Sequence, residues 1–554
     1  MRKKLLYIMS LVLTAVASSC YDDKGNYDYT EINEISVDTQ ASGTYFAVDR
    51  YDTLRISPVL RFTQGEIDDS KLSFKWEMYA DDWANSDETA QVISTEKNLC
   101  AQMRRAESVT PYAVVLTVTD TQNGCSYRQK YQVSIQPSVL SGLMVLQDDN
   151  GSARLDYFAS ILSEPTFATP HHIVDVYGSA NDGAALKGAP RGVSFTLQNK
   201  SSYEPQEKRI YVYTDSELAM LDASSFVLRH SNSDLFMVSP DVIAPECVIR
   251  SSFYDNSTVL INNGLPHLLN QSASMVFGYQ FSRPLKSYSS LQGNEVKVAK
   301  YVYQADDFPS YTGFEAILYD TVSKRFVKIN SGYSAEPELK TFEPQNETAL
   351  KNFDVNSIGK DMIWMGKGNA GQCFAVFTDG ETRQIYRCRF NVRSTIVDEE
   401  GNTVPNPQVN NLAMGVYNLS AATEGDEAKF FDAGRYANHI LYATDRNIYT
   451  YDFSARKGTL INDAFPEGET ITAMKIYNVE HGTANINDVS GTLLYVATWN
   501  GKEGKIYEFA LNRTTGRLNN RTEAANGDLK QPYNVFGGFA KVVDMCIKCQ
   551  GRSD

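Results

Sequence analysis

Six histidines, eight cysteines and a surplus of carboxylates are the side chains of this 554-residue chain that could do chemistry. Their spacing argues against most of it. His171, His172, His230, His267, His439 and His481 contain no HExxH pair, and none sits in a zinc-like cluster with cysteines. His171 and His172 are adjacent in "ATPHHIVD", so on a strand their side chains point to opposite faces. No GxSxG, Walker A or GxGxxG context is present. Carboxylates are so numerous that no two stand out as a glycosidase pair, whose separation a sequence cannot set. The expectation is a protein without catalysis and without a cofactor. Calcium is the one ion that the acidic turns described below would suit, though no calcium-loop motif accompanies them.

The cysteines divide into three groups. Cys546-Ile-Lys-Cys549 has the spacing of a redox or zinc half-site, but no second CxxC completes it. Cys373 and Cys388 flank "FAVFTDGETRQIYR", and a four-residue turn at Asp379–Thr382 would set them opposite each other on one hairpin. A cross-strand disulfide and two buried thiols both fit that placement. Cys100, Cys125 and Cys247 are isolated. Cys20 stands apart at the end of an apolar leader.

The elements that must position these residues are strands. Tyr (33) and Phe (26) are abundant and strand formers run through the whole length, while long amphipathic helical patterns are scarce. The class expected is all-β. A chain of this length exceeds a single hydrophobic core and should divide into domains. Its formal net charge of -15 argues against nucleic acid as a partner, which would need clustered Lys and Arg. In "LSFKWEMY" Leu72, Phe74, Trp76 and Met78 share one face. In "PYAVVLTVTDTQNGCSYRQKYQVSIQ" the inward set is Tyr112, Val114, Leu116 and Val118, then Tyr127, Tyr131, Val133 and Ile135. Asn123-Gly124 between them has the positive-φ preference of a tight hairpin turn. Residues 34–137 therefore read as an immunoglobulin-like β-sandwich with a buried Trp on a middle strand.

From residue 138 to 554 a strand–turn–strand theme recurs seven times at intervals of about 60 residues, as a β-propeller of about seven blades would require. The units begin at Gly142, Arg209, Thr258, Phe314, Cys373, His439 and Leu493. "ITAMKIYN" (471–478) would be an innermost strand of the last. The turns of these units would fall on one rim carrying Asp148, Asp149, Asp215, Asp320, Asp379 and Asp445, with Trp499 its one large aromatic. Such a rim suits a cationic peptide, a calcium ion or a polyhydroxylated glycan. Asp is equally a favoured turn residue because its side chain bonds the local backbone.

The leader fixes the compartment expected. Arg2, Lys3 and Lys4 precede the apolar run Leu5–Ala17, which suits a signal peptide and is short for a membrane span. "ASSC" then resembles the lipobox of bacterial lipoproteins. That resemblance implies a signal peptide over residues 1–19, cleavage before Cys20, a diacylglycerol on its thiol and a polar tether over 20–33. Several acyl chains on one residue anchor stably. With Cys20 lipidated seven cysteines remain, so at least one is unpaired within the chain.

The run "CYDDKGNYDY" followed by "EINEISV", with "VVLTVTDTQNG" and its closing strand, resembles the PKD-like family of lipoproteins from Bacteroidetes. The resemblance implies a PKD-like sandwich acting as a spacer, and an outward-facing anchor in the outer membrane signalled by Asp22 and Asp23. It also implies partnership with a SusC/SusD-like TonB-dependent transporter pair. The function that follows is an accessory surface lipoprotein binding an oligopeptide or glycan nutrient. A surface hydrolase or lyase with its active site in the propeller funnel, and an adhesin for host matrix, are the alternatives.

Overall fold

The computed structural model describes residues 31–549 except 81–89, 108–109, 137–138, 199–206, 251–256, 270–277, 286–295, 305–311, 331–337, 391, 480–488 and 520–531. Cys20, Asp22, Asp23 and the leader lie outside the described residues. No helix among the described residues is long and apolar enough to cross a membrane. The chain is a β-sandwich followed by a seven-bladed β-propeller, and close contacts divide it between Gln136 and Pro137, apart from short exchanged segments.

In the sandwich, a five-stranded sheet is ordered Tyr45–Asp49, Ser126–Gln136, Tyr112–Asp120, Leu72–Tyr79, Gln91–Ser94. Two short ladders complete the unit, Ile35–Val37 with Leu60–Phe62 and Thr53–Ile56 with Leu99–Gln102. The alternating residues of the sequence form the core: Leu72, Trp76, Met78, Val114, Leu116, Val118, Tyr131, Val133 and Ile135 are buried together. Trp76 is fully enclosed, donates its indole N–H to the Glu96 carbonyl at 2.9 Å and lies 5.6 Å from the Tyr131 ring. The connection at Asn123-Gly124 departs from the tight two-residue turn expected. It spans residues 121–125, and only Gly124 takes positive φ (75°). Asp120 explains the wider loop: its carboxylate accepts from the Gln122 N–H and the Asn123 amide, and its carbonyl accepts from Gly124.

The seven units read from the sequence are the second and third strands of seven blades. Blade 1 carries Gly142–Asp149 and Ser152–Ala159; blade 2, Glu207–Thr214 and Leu218–Asp222; blade 3, Thr258–Asn262 and Leu265–Leu269; blade 4, Phe314–Asp320 and Arg325–Asn330. Blade 5 carries Cys373–Thr378 and Arg383–Cys388; blade 6, His439–Ala443 and Ile448–Asp452; blade 7, Leu493–Trp499 and Gly504–Asn512. The innermost strand of blade 1 comes from the far end of the chain. Lys541–Lys548 pairs antiparallel with Gly142–Asp149, from Gly142↔Lys548 to Asp148↔Lys541, and closes the ring.

The propeller's hydrophobic interior is a cycle of seven cores, each shared by two adjacent blades. Blades 3 and 4 share Val259 and Ile261, whereas blades 2 and 3 share Leu260. One strand thus sends alternate side chains to different neighbours. That is why "TVLIN" and "FEAILYD" are buried at every position and read as unbroken apolar runs, unlike the alternating strand Leu72–Tyr79 of the sandwich.

His439 opens the second strand of blade 6 at 3 % exposure, and neither ring nitrogen has a hydrogen-bond partner. A Cβ on Gly434 or Gly516 would come within 2.3 or 2.5 Å of the imidazole, so glycine is what lets the ring in. Burial pushes the His439 pKa down from 6.5 to about 4. Above pH 6.5 folded and unfolded chains both hold it neutral and it contributes no pH dependence. Between pH 6.5 and 4 the unfolded chain binds the proton first, so stability falls as pH falls, by up to about 3 kcal/mol. Urea unfolding at pH 7.0 and 4.5 should show a smaller acid loss for His439→Gln than for the wild type; equal losses would refute this.

Candidate functional site: the axial channel

The first strand of each blade runs beside the propeller axis and turns some of its side chains toward it. Together these strands enclose a cavity of about 510 Å³ to which all seven blades contribute, among them Arg191 (blade 2), Cys247 (blade 3), Tyr301 (blade 4), Trp364 (blade 5), Lys475 (blade 7) and Asp544 (blade 1). Two aspartates in its wall fasten neighbouring blades. Asp544 accepts from the Val193 N–H of blade 2 at 3.0 Å, and Asp432 of blade 6 accepts from the Ile476 N–H of blade 7 at 2.8 Å. Each also accepts from the N–H of the residue after it, Met545 at 2.9 Å and Ala433 at 2.8 Å. Both carboxylates are thereby committed to the ring's own backbone.

The remaining charges are mostly positive. Arg191, Arg250, Lys300, Lys367, Arg435 and Lys475 line the cavity against only Glu246, Asp432 and Asp544. Arg191, Lys300 and Lys475 form no ion pair or side-chain hydrogen bond with any described residue; the Lys300 ammonium sits 5.5 Å from the Tyr301 ring centroid. Lys300 and Lys475 both act electrostatically on Asp544 and on Cys247, so their fields converge on the same part of the cavity. Burial raises the Asp544 pKa despite the two lysines and the Val193 N–H, and it raises that of Glu246 despite Arg191 and Lys300. Burial likewise pushes the Cys247 thiol up to about 12, reinforced by Asp544, and lifts the Cys546 thiol. These cysteines are therefore protonated thiols without nucleophilic character at neutral pH.

The acidic residues expected at the rim lie in or beside the turns between the second and third strands of blades 1, 2, 4, 5 and 6, where each has a local partner. Asp148 accepts from the Gly151 N–H at 2.8 Å, Asp215 from Ala189 at 3.0 Å and Asp320 from Val322 at 3.0 Å. Asp149 pairs with Arg154 at 2.6 Å and Asp445 with Lys429 at 2.6 Å. Asp379 is paired with Lys360 and accepts from the Thr382 N–H, and Lys360 above all holds its carboxyl well below the usual carboxylate range. Each of these turns belongs to a separate blade, and Trp499 ends the second strand of blade 7, partly exposed. Among the described residues no three His, Cys, Asp or Glu side chains form a group that could hold a metal ion. Asp148, Asp320 and Asp379 make the local backbone bonds of turn formers, whereas Asp149 and Asp445 are held by ion pairs.

Cys373 and Cys388 are directly opposed across one hairpin, and of the two arrangements open from the sequence they take that of buried thiols. The histidines are dispersed: His172 contacts Asp156 at 2.9 Å, His230 contacts Asp234 at 2.6 Å, His267 meets the Ser282 carbonyl at 2.8 Å, and His481 lies outside the described residues. The sequence reading missed the channel charges. Their one legible sign was a charged residue inside a short apolar strand, as Lys475 in "ITAMKIYN" and Asp544 in "KVVDMCIK".

The PKD-like family matches residues 20–190, the sandwich and the chain onward through the outer strands of blade 1. No curated protein matches the sequence. A quinonprotein alcohol dehydrogenase-like protein of Bacteroides thetaiotaomicron is similar in structure over 92% of this chain and 99% of its own, at 13% identity and a TM-score of 0.45. AztD from Citrobacter koseri is similar over 87% of this chain and 99% of its own, at 11% identity and a TM-score of 0.35. The β-propeller domain of the trilobed protease from Pyrococcus furiosus is similar over 63% and 88%, at 8% identity and a TM-score of 0.27.

Proposed function

We propose that this protein is a non-enzymatic surface lipoprotein that captures an oligopeptide or glycan nutrient in its propeller. In this reading Cys20 anchors it in the outer membrane, Asp22 and Asp23 direct it to the outer face, and the PKD-like sandwich is a spacer. It works as the accessory component of a SusC/SusD-like TonB-dependent uptake pair. The observation that carries the reading is the axial channel: a cavity walled by seven blades, into which Arg191, Lys300 and Lys475 bring charges that make no ion pair with any described residue. Small-ligand sites have this form, concave and largely preformed, with a few convergent polar groups. Support for the compartment comes from the leader sequence and from a family match that begins at Cys20.

The test is co-purification and binding. Affinity isolation of the tagged protein from the membranes of cells grown on its nutrient should recover a transporter pair, and the purified protein should bind a glycan or a peptide. Failure of both would refute the reading. The anchor has its own readout: Cys20→Ala should move the protein from the membrane pellet to the soluble fraction, and a variant that stays in the pellet would place the anchor elsewhere.

A further inference from the structure

The charges that line the channel are balanced once those engaged elsewhere are set aside. Arg250, Lys367 and Arg435 interact with other groups, which leaves Arg191, Lys300 and Lys475 without an ion pair to any described residue. Against them stand three carboxylates, Glu246, Asp432 and Asp544, and these form no ion pair with a described residue either. The six come from six different blades, three of each sign, and share one cavity of about 510 Å³. Such a set exerts little net pull on an anion or a cation. What it provides is donors and acceptors held apart from one another, since ammonium and guanidinium groups donate and carboxylates accept. Glu246 has no hydrogen-bond partner among the described residues, and Asn478 in the same wall buries its Oδ1 without a donor. A hydroxyl uses both kinds of group, because it donates and accepts at one atom.

The wall also carries a flat apolar surface. The first strands begin on the face of the second-to-third-strand turns, as the pairs Pro190↔Thr214, Pro245↔Asn262 and Asp361↔Thr378 show. Arg191 and Glu246 are each the second residue of such a strand, and Lys300 follows Ala299, whose N–H donates to the Tyr319 carbonyl near the end of Phe314–Asp320. These three therefore lie toward that face. Trp364, central in Asp361–Lys367 and partly exposed, stacks on Phe431 with ring centroids 5.8 Å apart and planes inclined by 26°. Both rings line the cavity, and the indole lies across Gly366, where a Cβ would come within 2.2 Å of its Cζ2. A pyranose presents the matching pair of features, a C–H face that packs on an aromatic ring and hydroxyls crowded around its edge. A peptide backbone instead spaces its donors and acceptors along the chain and ends in charges.

We propose that the axial channel binds a neutral oligosaccharide, with one pyranose ring against Trp364 and its hydroxyls shared between the donors Arg191 and Lys300 and the acceptor Glu246. This rests on the capture reading above and narrows it to one ligand class. It also moves the site from the aspartate turns that the sequence points to into the channel.

The experiment is calorimetric titration of the full-length protein in detergent with five probes: maltohexaose, xylohexaose, mannohexaose, trigalacturonate and trialanine. At least one of the neutral saccharides should bind ten times more tightly than trigalacturonate and than trialanine. That affinity should change less than twofold between about 0.05 and 0.5 M salt, because screening weakens charge recognition and spares hydrogen bonds and stacking. Trp364→Ala and Glu246→Gln should each weaken it at least tenfold, and Glu246→Gln, which keeps the shape of the side chain, should leave the thermal transition unchanged. Asp445→Asn, in one of the turns, should not alter it. Tighter binding of trigalacturonate or trialanine, or saccharide binding untouched by Glu246→Gln, would overturn the proposal and leave capture intact. If no probe binds, the proposal falls, while the capture reading stands or falls on co-purification.

Discussion

A chain ending at Ala540 should fail to form the propeller. The missing segment, Lys541–Lys548, is the innermost strand of blade 1 and pairs with Gly142–Asp149 along its length. Its loss would uncover Leu143 and Val145, both fully buried, and remove Val542 and Met545 from the core between blades 7 and 1. Each buried aliphatic side chain is worth about 1.5–3 kcal/mol, and the lost ladder adds its hydrogen bonds. The truncation also removes Asp544, which ties the strand to blade 2. The total rivals the margin of about 5–15 kcal/mol by which domains are stable, and the ring is left with an open sheet edge. Scanning calorimetry should show the propeller's cooperative transition abolished, with soluble protein lost to aggregation. A truncated protein that melts within a few degrees of the full chain would show that the ring does not depend on this closure.

Trp76→Ala should cost the sandwich about 3–5 kcal/mol. The indole is fully enclosed in a core shared with Leu72, Met78, Leu116 and Tyr131, and in a close-packed interior its removal leaves a cavity. Removal also leaves the Glu96 carbonyl without its donor. Trp76→Phe keeps much of the volume and loses the hydrogen bond, and should cost about 1–2 kcal/mol. Because the sandwich and the propeller have separate hydrophobic cores, the loss should fall on one transition only. Domain-resolved hydrogen exchange would measure it; a Trp76→Ala protein with unchanged protection in Tyr112–Asp120 would contradict the assignment of this residue to the centre of the core.

The architecture was legible where the physics is local. Alternation in "LSFKWEMY" fixed both the strand and its inward face, since one side of that sheet packs on the core. The seven hairpins were visible because each pairs neighbouring segments through a short polar turn, and the aspartates of those turns are turn formers by their own hydrogen bonds. The first strands were the hard part. "PECVIR" and Tyr303–Gln304 are short, and their partners in the wall lie on other blades. The meeting of Arg191, Lys300 and Lys475 in one channel is a product of ring closure, and no spacing in the chain encodes it. For the same reason the sequence pointed to the turn face, where residues of one type recur at regular intervals, and away from the channel, whose charges come from different residue types at unrelated positions.

The ring's closure also sets a clock. The strand Gly142–Asp149 is made about 390 residues before the strand that completes its sheet. At synthesis rates of about 5–20 residues per second, that is a wait of roughly 20–80 s. Through that interval the inner edge of blade 1 is an unpaired, apolar template for any passing strand. A protein exported through a membrane would have to be escorted for the whole of this time, and the ring can lock only once Lys541–Lys548 has crossed. Completion of the propeller is therefore timed by the strand Lys541–Lys548, however early the sandwich settles.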